Sequence, residues 1–497
     1  MTKWIHFGGG NLFRAFHAEI AHHISEPVVV AETWDEEVVE KIYNQYDGQI
    51  VNVTLKGNGQ LETELLTAVS KAYYVSKDNE SGQAGFDEVK RIFEDAALQF
   101  ATITITEKGY KPLPNGADSP SIVLYTELLL ARFEKGGAPI AMVSTDNFSR
   151  NGDVLKNAVL VVANKWLEAG TVSADFLAYL QDDTKVSFPW SMIDRITPNP
   201  AESVREQLVE SNVAAKYGFN NTDLDILHTE KRTNVALFAN TEETHYLCIE
   251  DNFPNGRPAL EEGGVILTDR LTVEKIDEMK VCTCLNPLHT ALAIYGTILE
   301  FPSISAMTKD AQMMALIKEI GYNEGMKVVV DPKVINPKEF IDAVINDRLP
   351  NPYIPDTPQR IATDTSQKLP IRFGKNISLY AAGEAAPLTA ADLTFIPLAL
   401  AGWVRYLLGV NEAGETITLS PDPKLEASQA IVKDLTLGWS GSAEELHAIL
   451  QPLLSDETIF AQDLYAVGLG EKVEGYVAEL IAGPGAVRAT LKKYLNV

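Results

Sequence analysis

Residues Ile5–Ala18 read IHFGGGNLFRAFHA. An apolar strand candidate, WIHFG, runs into three glycines and then into a helix-like stretch from Asn11 to about Ile24. Gly8 and Gly10 take the first two places of a G-x-G-x-x-G pattern, and Phe13 stands where the third glycine would be. The first glycine permits a tight turn, and the second lets the backbone approach a pyrophosphate at the helix N-terminus. The third sets only helix–strand packing, so its replacement is tolerable. Gly8, Gly10 and Asn11 are therefore candidate contacts for a dinucleotide.

The next apolar run, PVVVAE, ends in Glu32, at the spacing expected of an acid that binds the adenosine ribose. A carboxylate there repels a 2′-phosphate and favours NAD over NADP. Asp35 competes for that role, or caps the following helix DEEVVEKIYNQY. Further on, IVNVTLKGNGQLETELL has the pattern of a hairpin turning at Gly57-Asn58-Gly59. ATITIT and IAMVST read as strands covered on both faces, and Gly152 to Ala169 as a long helix. Strands alternating with helices predict a parallel α/β sheet of the Rossmann type. After about Asp269 the apolar spacing becomes three-to-four, as in TALAIYGTILEF and LTFIPLALAGWVRYLLG, which predicts an all-helical domain. The expected division is residues 1–272 for the dinucleotide-binding domain and 273–497 for the helical one.

At 497 residues, about two domains are expected. A composition of 45% hydrophobic and 22% charged residues is that of a globular protein, and no run of about 18 apolar residues appears. The N-terminus lacks a signal-peptide pattern, and three cysteines make no disulfide framework, so a reducing cytoplasm is expected. A net charge of −26 argues against nucleic acid and anionic membranes as partners, though not against an anionic small substrate held in a local basic pocket. Cys282 and Cys284 form a C-x-C with no second ligand pair at zinc spacing, so no metal is expected. They read as two small apolar residues on one strand face.

MKVCTCLNPLHTALA, from Met279 to Ala293, places Lys280, Asn286 and His289 within ten residues. Pro287 suits a first helical turn and disfavours helical geometry at Asn286. Asn286 is therefore expected at an N-cap, His289 one turn in, and KVCTCL as an extended entry. Such a trio polarises a carbonyl and passes a proton to it. It is equally a surface lysine, a helix cap and a packed histidine.

Four stretches in order carry a resemblance: TITEKGY (Thr104–Tyr110), STDNFSRNGD (Ser144–Asp153), SMIDRITP (Ser191–Pro198) and CLNPLHTALA (Cys284–Ala293). With the glycine loop they resemble the long-chain mannitol dehydrogenase family. AETWDEEVVEKIY, IEDNFPNGRP and LPNPYIPDTPQRIATDTSQKLPIRFG are most similar to its fructuronate-reducing branch. The resemblance implies an NAD-dependent, metal-independent oxidoreductase interconverting fructuronate and D-mannonate. The alternatives are a mannitol-type polyol dehydrogenase, a tagaturonate reductase or a silent NAD-binding regulator. The expected partner is a small sugar acid or polyol, and the expected assembly a monomer or small homo-oligomer.

The family carries a catalytic K-x(4)-N-x(2)-H. Asn286 and His289 match it, but the lysine position falls on Val281, one residue after Lys280; Lys275 is further out of register. Lys280 is the candidate proton donor, with Asn286 and His289 as donors to the reacting oxygen. Thr106 and Glu107, with Lys108, lie beside the expected cofactor site. Asn147, Asn151 and Asp194 are candidate substrate contacts, and Lys368 and Arg372 are placed to clamp a substrate carboxylate. From Glu32 we predict that NADH is preferred over NADPH by at least tenfold in kcat/KM, about 1.4 kcal/mol. Steady-state rates with the two cofactors check this, and equal use would remove Glu32 from the ribose site.

Overall fold

The computed structural model describes residues Met1–Val497, which form two compact units, Met1–Glu274 and Lys275–Val497. The first is built on a six-stranded sheet. Its strands, in chain order, are Trp4–Phe7, Val28–Glu32, Val69–Tyr74, Phe100–Ile103, Ile140–Ser144 and Val186–Ser187. Every neighbouring pair is parallel, and the spatial order is 3-2-1-4-5-6. This is the doubly wound order of dinucleotide-binding folds, in which the chain reverses its direction of winding between the first and fourth strands.

The sheet is buried on both faces, as the apolar runs predict. Ile5, Phe7, Val29, Ala31, Ala101 and Ile103 face one core, which includes Val89, Leu128 and Val159 of helices Glu80–Glu94, Pro120–Glu134 and Asn151–Glu168. Trp4, Val28, Val30 and Phe100 face the other, with Phe13, Phe16 and Ile42. Each such side chain contributes about 1.5–3 kcal/mol by leaving water. Alternation also buries His6, whose ring nitrogens lie 2.7 Å from Thr102 Oγ1 and 2.9 Å from Thr104 Oγ1. Burial, reinforced by neighbouring His17, holds His6 neutral, well below the usual histidine range.

The predicted hairpin is present as Ile50–Leu55 and Leu61–Leu66, turning at Gly59 with φ +86°. It pairs in parallel with Phe238–Glu242 in a separate three-stranded sheet. A second small sheet joins Ser191–Asp194, Tyr246–Glu250 and Ile266–Thr268.

The second unit is helical, its extended pairing limited to a bridge between Val410 and Thr416. Helices Asn286–Ile298 and Phe395–Leu407 are buried almost all round and pack on each other. Gly402 admits the Tyr295 ring, which would lie 2.6 Å from an added Cβ, and the Tyr295 hydroxyl donates to Leu398 O at 2.7 Å. Glu324, itself buried, accepts from the backbone N–H groups of Thr394, Phe395 and Ile396 and so caps the second helix. KVCTCL is not extended, and its two cysteines do not share a strand face. Met279–Cys284 is a π-helical continuation of helix Arg270–Glu278, and both thiols are buried inside it. No helix is long and apolar enough to cross a membrane.

Arg132 ties the first unit together in a way periodicity does not reveal. At 1% exposure, its guanidinium donates to Phe93 O, Asp95 O, Leu98 O, Ala138 O and Pro139 O at 2.7–2.8 Å. All five N–H groups are used on main-chain carbonyls, one in the last turn of helix Glu80–Glu94 and four in the loops that follow it and helix Pro120–Glu134. We predict that Arg132→Met lowers unfolding free energy by about 3–5 kcal/mol, because the carbonyls of Phe93, Asp95 and Pro139 lose their side-chain donor, while Leu98 O keeps Asn255 and Ala138 O keeps Tyr179. Denaturant unfolding measures the loss. A change below about 1 kcal/mol would mean that water replaces the guanidinium.

Candidate active site

The switch point lies where the first and fourth strands end, and there the glycine loop begins. Gly8 adopts φ +106°, and a Cβ on it would sit 2.5 Å from the Thr104 carbonyl oxygen. Only glycine satisfies both conditions. Gly9 is constrained by space alone, since its Cβ would meet Glu32 Oε2 at 2.9 Å and the Tyr43 ring at 3.0 Å. Gly10 is the contrast: exposed, with nothing within 4 Å of an added Cβ. A tight turn followed by open, approachable backbone at a helix start fits a pyrophosphate.

Glu32 stands beneath this loop at 6% exposure and accepts from the N–H groups of Gly9, Trp34 and Asp35. Burial raises its pKa above the usual carboxylate value, against the opposing pull of those three donors. Asp35 proves to be the cap of the next helix, accepting from Glu37 N at 3.2 Å and from the Thr229 hydroxyl at 2.6 Å. Tyr43, unmarked by any sequence motif, donates its hydroxyl to Gly9 O at 2.8 Å.

Across the crevice, the turn after the fourth strand is held by Asp146. Its carboxylate accepts from Ile105 N and Thr106 N at 2.9 Å and from the Tyr110 hydroxyl at 2.7 Å. Thr106 is thereby kept at φ +63°, and Glu107 starts a short 3-10 turn with its carboxylate 2.6 Å from Lys111. Asn147 follows Asp146 and is exposed. Asn151 is fully buried. Its amide nitrogen donates to Asp146 O and Ser191 O, and its oxygen accepts from Ser191 N. Asn151 thus braces the loop that carries Asn147. Asp194 ends a buried strand, while Arg195 beside it pairs with Glu19.

In the second unit, Lys280 is 2% exposed, with Nζ 3.9 Å from Asp277 Oδ1. It lies in the π-turn, where Leu285 N bonds to Lys280 O at 3.1 Å, an i→i+5 bond. A π-turn takes in one residue more than an α-turn. Between Lys280 and Asn286 there is likewise one residue more than K-x(4)-N contains. Asn286 is not the N-cap expected from Pro287 but the first residue of helix Asn286–Ile298, with Leu285 at the cap, and His289 follows one turn in. Asn376 braces the turn, donating to Cys282 O at 2.8 Å.

Cations gather around His289. Lys368 donates to Ile361 O at 2.9 Å, and Arg372 to the Thr290 hydroxyl at 2.6 Å. Arg348 and Arg360, neither singled out from the sequence, join them; Arg348 is 4% exposed. Burial first, then Arg372, Arg360, Arg348 and Lys368, push His289 down to about 3. Burial and Arg372 lower Lys368 to about 8, and burial lowers Arg372 to about 10. The two thiols nearby are inert: burial pushes Cys282 and Cys284 up to about 12. One group of possible metal ligands, Glu19, His23 and Glu64, lies in the first unit and involves neither cysteine.

A 3-2-1-4-5-6 sheet with a glycine loop at its switch point defines a dinucleotide-binding dehydrogenase fold. The chain belongs to the mannitol dehydrogenase family: residues 2–262 match the mannitol dehydrogenase Rossmann domain and residues 272–476 the mannitol dehydrogenase C-terminal domain. It is 45% identical to the D-mannonate oxidoreductase of Thermotoga maritima, over 99% of this chain and 92% of that protein. Two solved structures share the fold. Mannitol 2-dehydrogenase of Pseudomonas fluorescens, solved with NAD and D-mannitol, gives a TM-score of 0.67 at 22% identity over 100% of this chain and 94% of that one. D-sorbitol dehydrogenase gives 0.75 at 21% identity over 99% and 95%.

The two outer glycines predict different failures. Gly8→Ala should lower both thermal stability and NADH affinity, the latter at least tenfold, because its Cβ has nowhere to go. Gly10→Ala should keep the melting temperature and lose only NADH affinity. Fluorescence titration alongside thermal melts separates the two, and a cold-sensitive or unstable Gly10→Ala would disprove the distinction.

Proposed function

We propose that this protein reduces the ketone of a keto-hexuronate, fructuronate, to the hydroxyl of D-mannonate with NADH, reversibly. One observation carries the choice of a sugar acid over a neutral polyol: Arg348, Arg360, Lys368 and Arg372 converge electrostatically on His289 in a chain of net charge −26. Gathering four cations in one place costs mutual repulsion and desolvation, which a bound carboxylate offsets. The 45% identity to a D-mannonate oxidoreductase supports the same substrate.

Gly8, Gly10 and Asn11, with Glu32, Thr106 and Glu107, are the residues that would hold the dinucleotide. Bound NADH supplies the hydride. The rest falls to side chains. Lys280 gives a proton from Nζ to the ketone oxygen as that oxygen gains charge, and takes it back in the oxidative direction. The Asn286 amide donates to the same oxygen and steadies the alkoxide, a contribution typically of about 3 kcal/mol. Arg372 and Lys368 hold the carboxylate, which orients the ketone. Asn147 and Asp194 are assigned to the substrate on the resemblance alone, and Asn151 to the positioning of Asn147.

An NADH-oxidation assay tests the reading. Fructuronate should be turned over with kcat/KM at least a hundredfold above that for fructose, and Arg372→Ala should raise the KM for fructuronate at least tenfold while sparing fructose. Because Lys368 loses its proton near pH 8, the KM for fructuronate should rise as pH passes that value, and Lys368→Met should abolish the rise. Lys280→Ala should lower kcat by about 10²–10⁴-fold with NADH affinity kept. Equal use of the neutral ketose would return the polyol reading, and normal turnover by Lys280→Ala would assign the proton to another group.

A further inference from the structure

We infer that Asp356 is a positioning residue that fixes His289 with its proton on Nε2, so that His289 meets the substrate as a hydrogen-bond acceptor through Nδ1. This rests on the reading of the preceding subsection for the identity of the substrate, and on the structure for the state of the ring. His289 is part of the family-like trio, and the expectation from sequence is that it donates to the reacting oxygen.

Three observations oppose a donating His289. Nε2 is enclosed and has no hydrogen-bond partner, so a substrate oxygen does not reach it. The charged group that faces Nε2 is Asp356, whose Oδ2 lies 3.4 Å away. Asp356 also pairs with Arg360 through its other oxygen, and its side chain is 7% exposed. Its main chain is pinned as well: Ile304 N bonds to Asp356 O at 2.8 Å, and Asp356 N to Ile354 O at 2.9 Å. The carboxylate has a fixed place beside the ring.

Burial, and then four cations, keep the imidazole neutral, so it carries one N–H only. A lone pair on Nε2 with a carboxylate 3.4 Å away is repelled by it, whereas an N–H there is attracted, even without the alignment of a hydrogen bond. The proton therefore sits on Nε2 and the free lone pair on Nδ1. An acceptor nitrogen does nothing for a developing alkoxide, which needs donors. It does receive the O–H of a hydroxyl on the sugar-acid chain. The division of labour follows: Lys280 and Asn286 serve the reacting oxygen, and His289 selects a hydroxyl beside it.

The test reads the tautomer directly. In protein labelled with ¹⁵N-histidine, the His289 signals are identified by their disappearance in His289→Gln. Substrate-free wild type should show a pyrrole-type Nε2 and a pyridine-type Nδ1, unchanged from pH 6 to pH 8. Asp356→Asn should move the ring toward the Nδ1–H form, since its amide N–H can donate to Nε2. It should also lower kcat/KM for fructuronate about tenfold while NADH affinity is kept. A wild-type ring with its proton on Nδ1 overturns the inference, and this measurement needs no variant to fold. A ring unmoved by Asp356→Asn overturns the role of Asp356. Neither readout depends on which sugar acid is turned over, so failure of the substrate assignment is seen separately in the assay.

Discussion

The close approach of Gly8 to the Thr104 carbonyl is the constraint on which the first unit depends. Two parallel strands end side by side there, and the chain leaves them in opposite directions, which opens a crevice at the carboxyl edge of the sheet. Any side chain at Gly8 would push the loop away from that edge. Glu32 and Tyr43 then take up the N–H and the carbonyl of Gly9 from below. What remains open is the backbone of Gly10, the part a ligand needs. Asp146 performs the matching task on the far side by ordering Ile105 and Thr106.

Charge is distributed in the second unit against the trend of the whole chain. A protein of net charge −26 places Arg348, Arg360, Lys368 and Arg372 around one histidine and sets Asp356 among them. Burial and that arrangement together keep the histidine neutral. Lys280, Arg348 and Arg372 each lie in a π-helical segment, Met279–Cys284, Val344–Arg348 and Pro370–Gly374. A π-turn widens the helix and displaces a side chain by a residue's worth of rotation, a device that recurs at functional sites. It also leaves main-chain bonding less regular, and here Asn376 supplies the brace.

Much of this was legible in the sequence, because the physics involved is local. The two-fold burial of strands such as VVVAE, the period of 3.6 beyond Asp269 and the glycine turn after WIHF depend only on neighbours in the chain. So do the hairpin at Gly57-Asn58-Gly59 and the cap at Asp35, and these determined a Rossmann-type unit followed by a helical one. Asn286 and His289 were legible for the same reason: they stand at fixed positions around one helix start.

The tertiary structure decided what depends on partners distant in the chain. KVCTCL has the β-rich composition of a strand, yet it continues a helix, because burial of Lys280 and both cysteines against the helical core outweighs the weak preference of single residues. The same π-turn takes in one residue more than an α-turn, and Lys280 stands one residue outside K-x(4)-N, a coincidence of geometry and spacing that no linear rule anticipates. Arg132 gathers carbonyls from two loops, and Asp356 faces a histidine 67 positions earlier in the chain. Hydrogen bonds and ion pairs act over a few ångströms of space whatever the separation along the chain, so only the fold determines who meets whom.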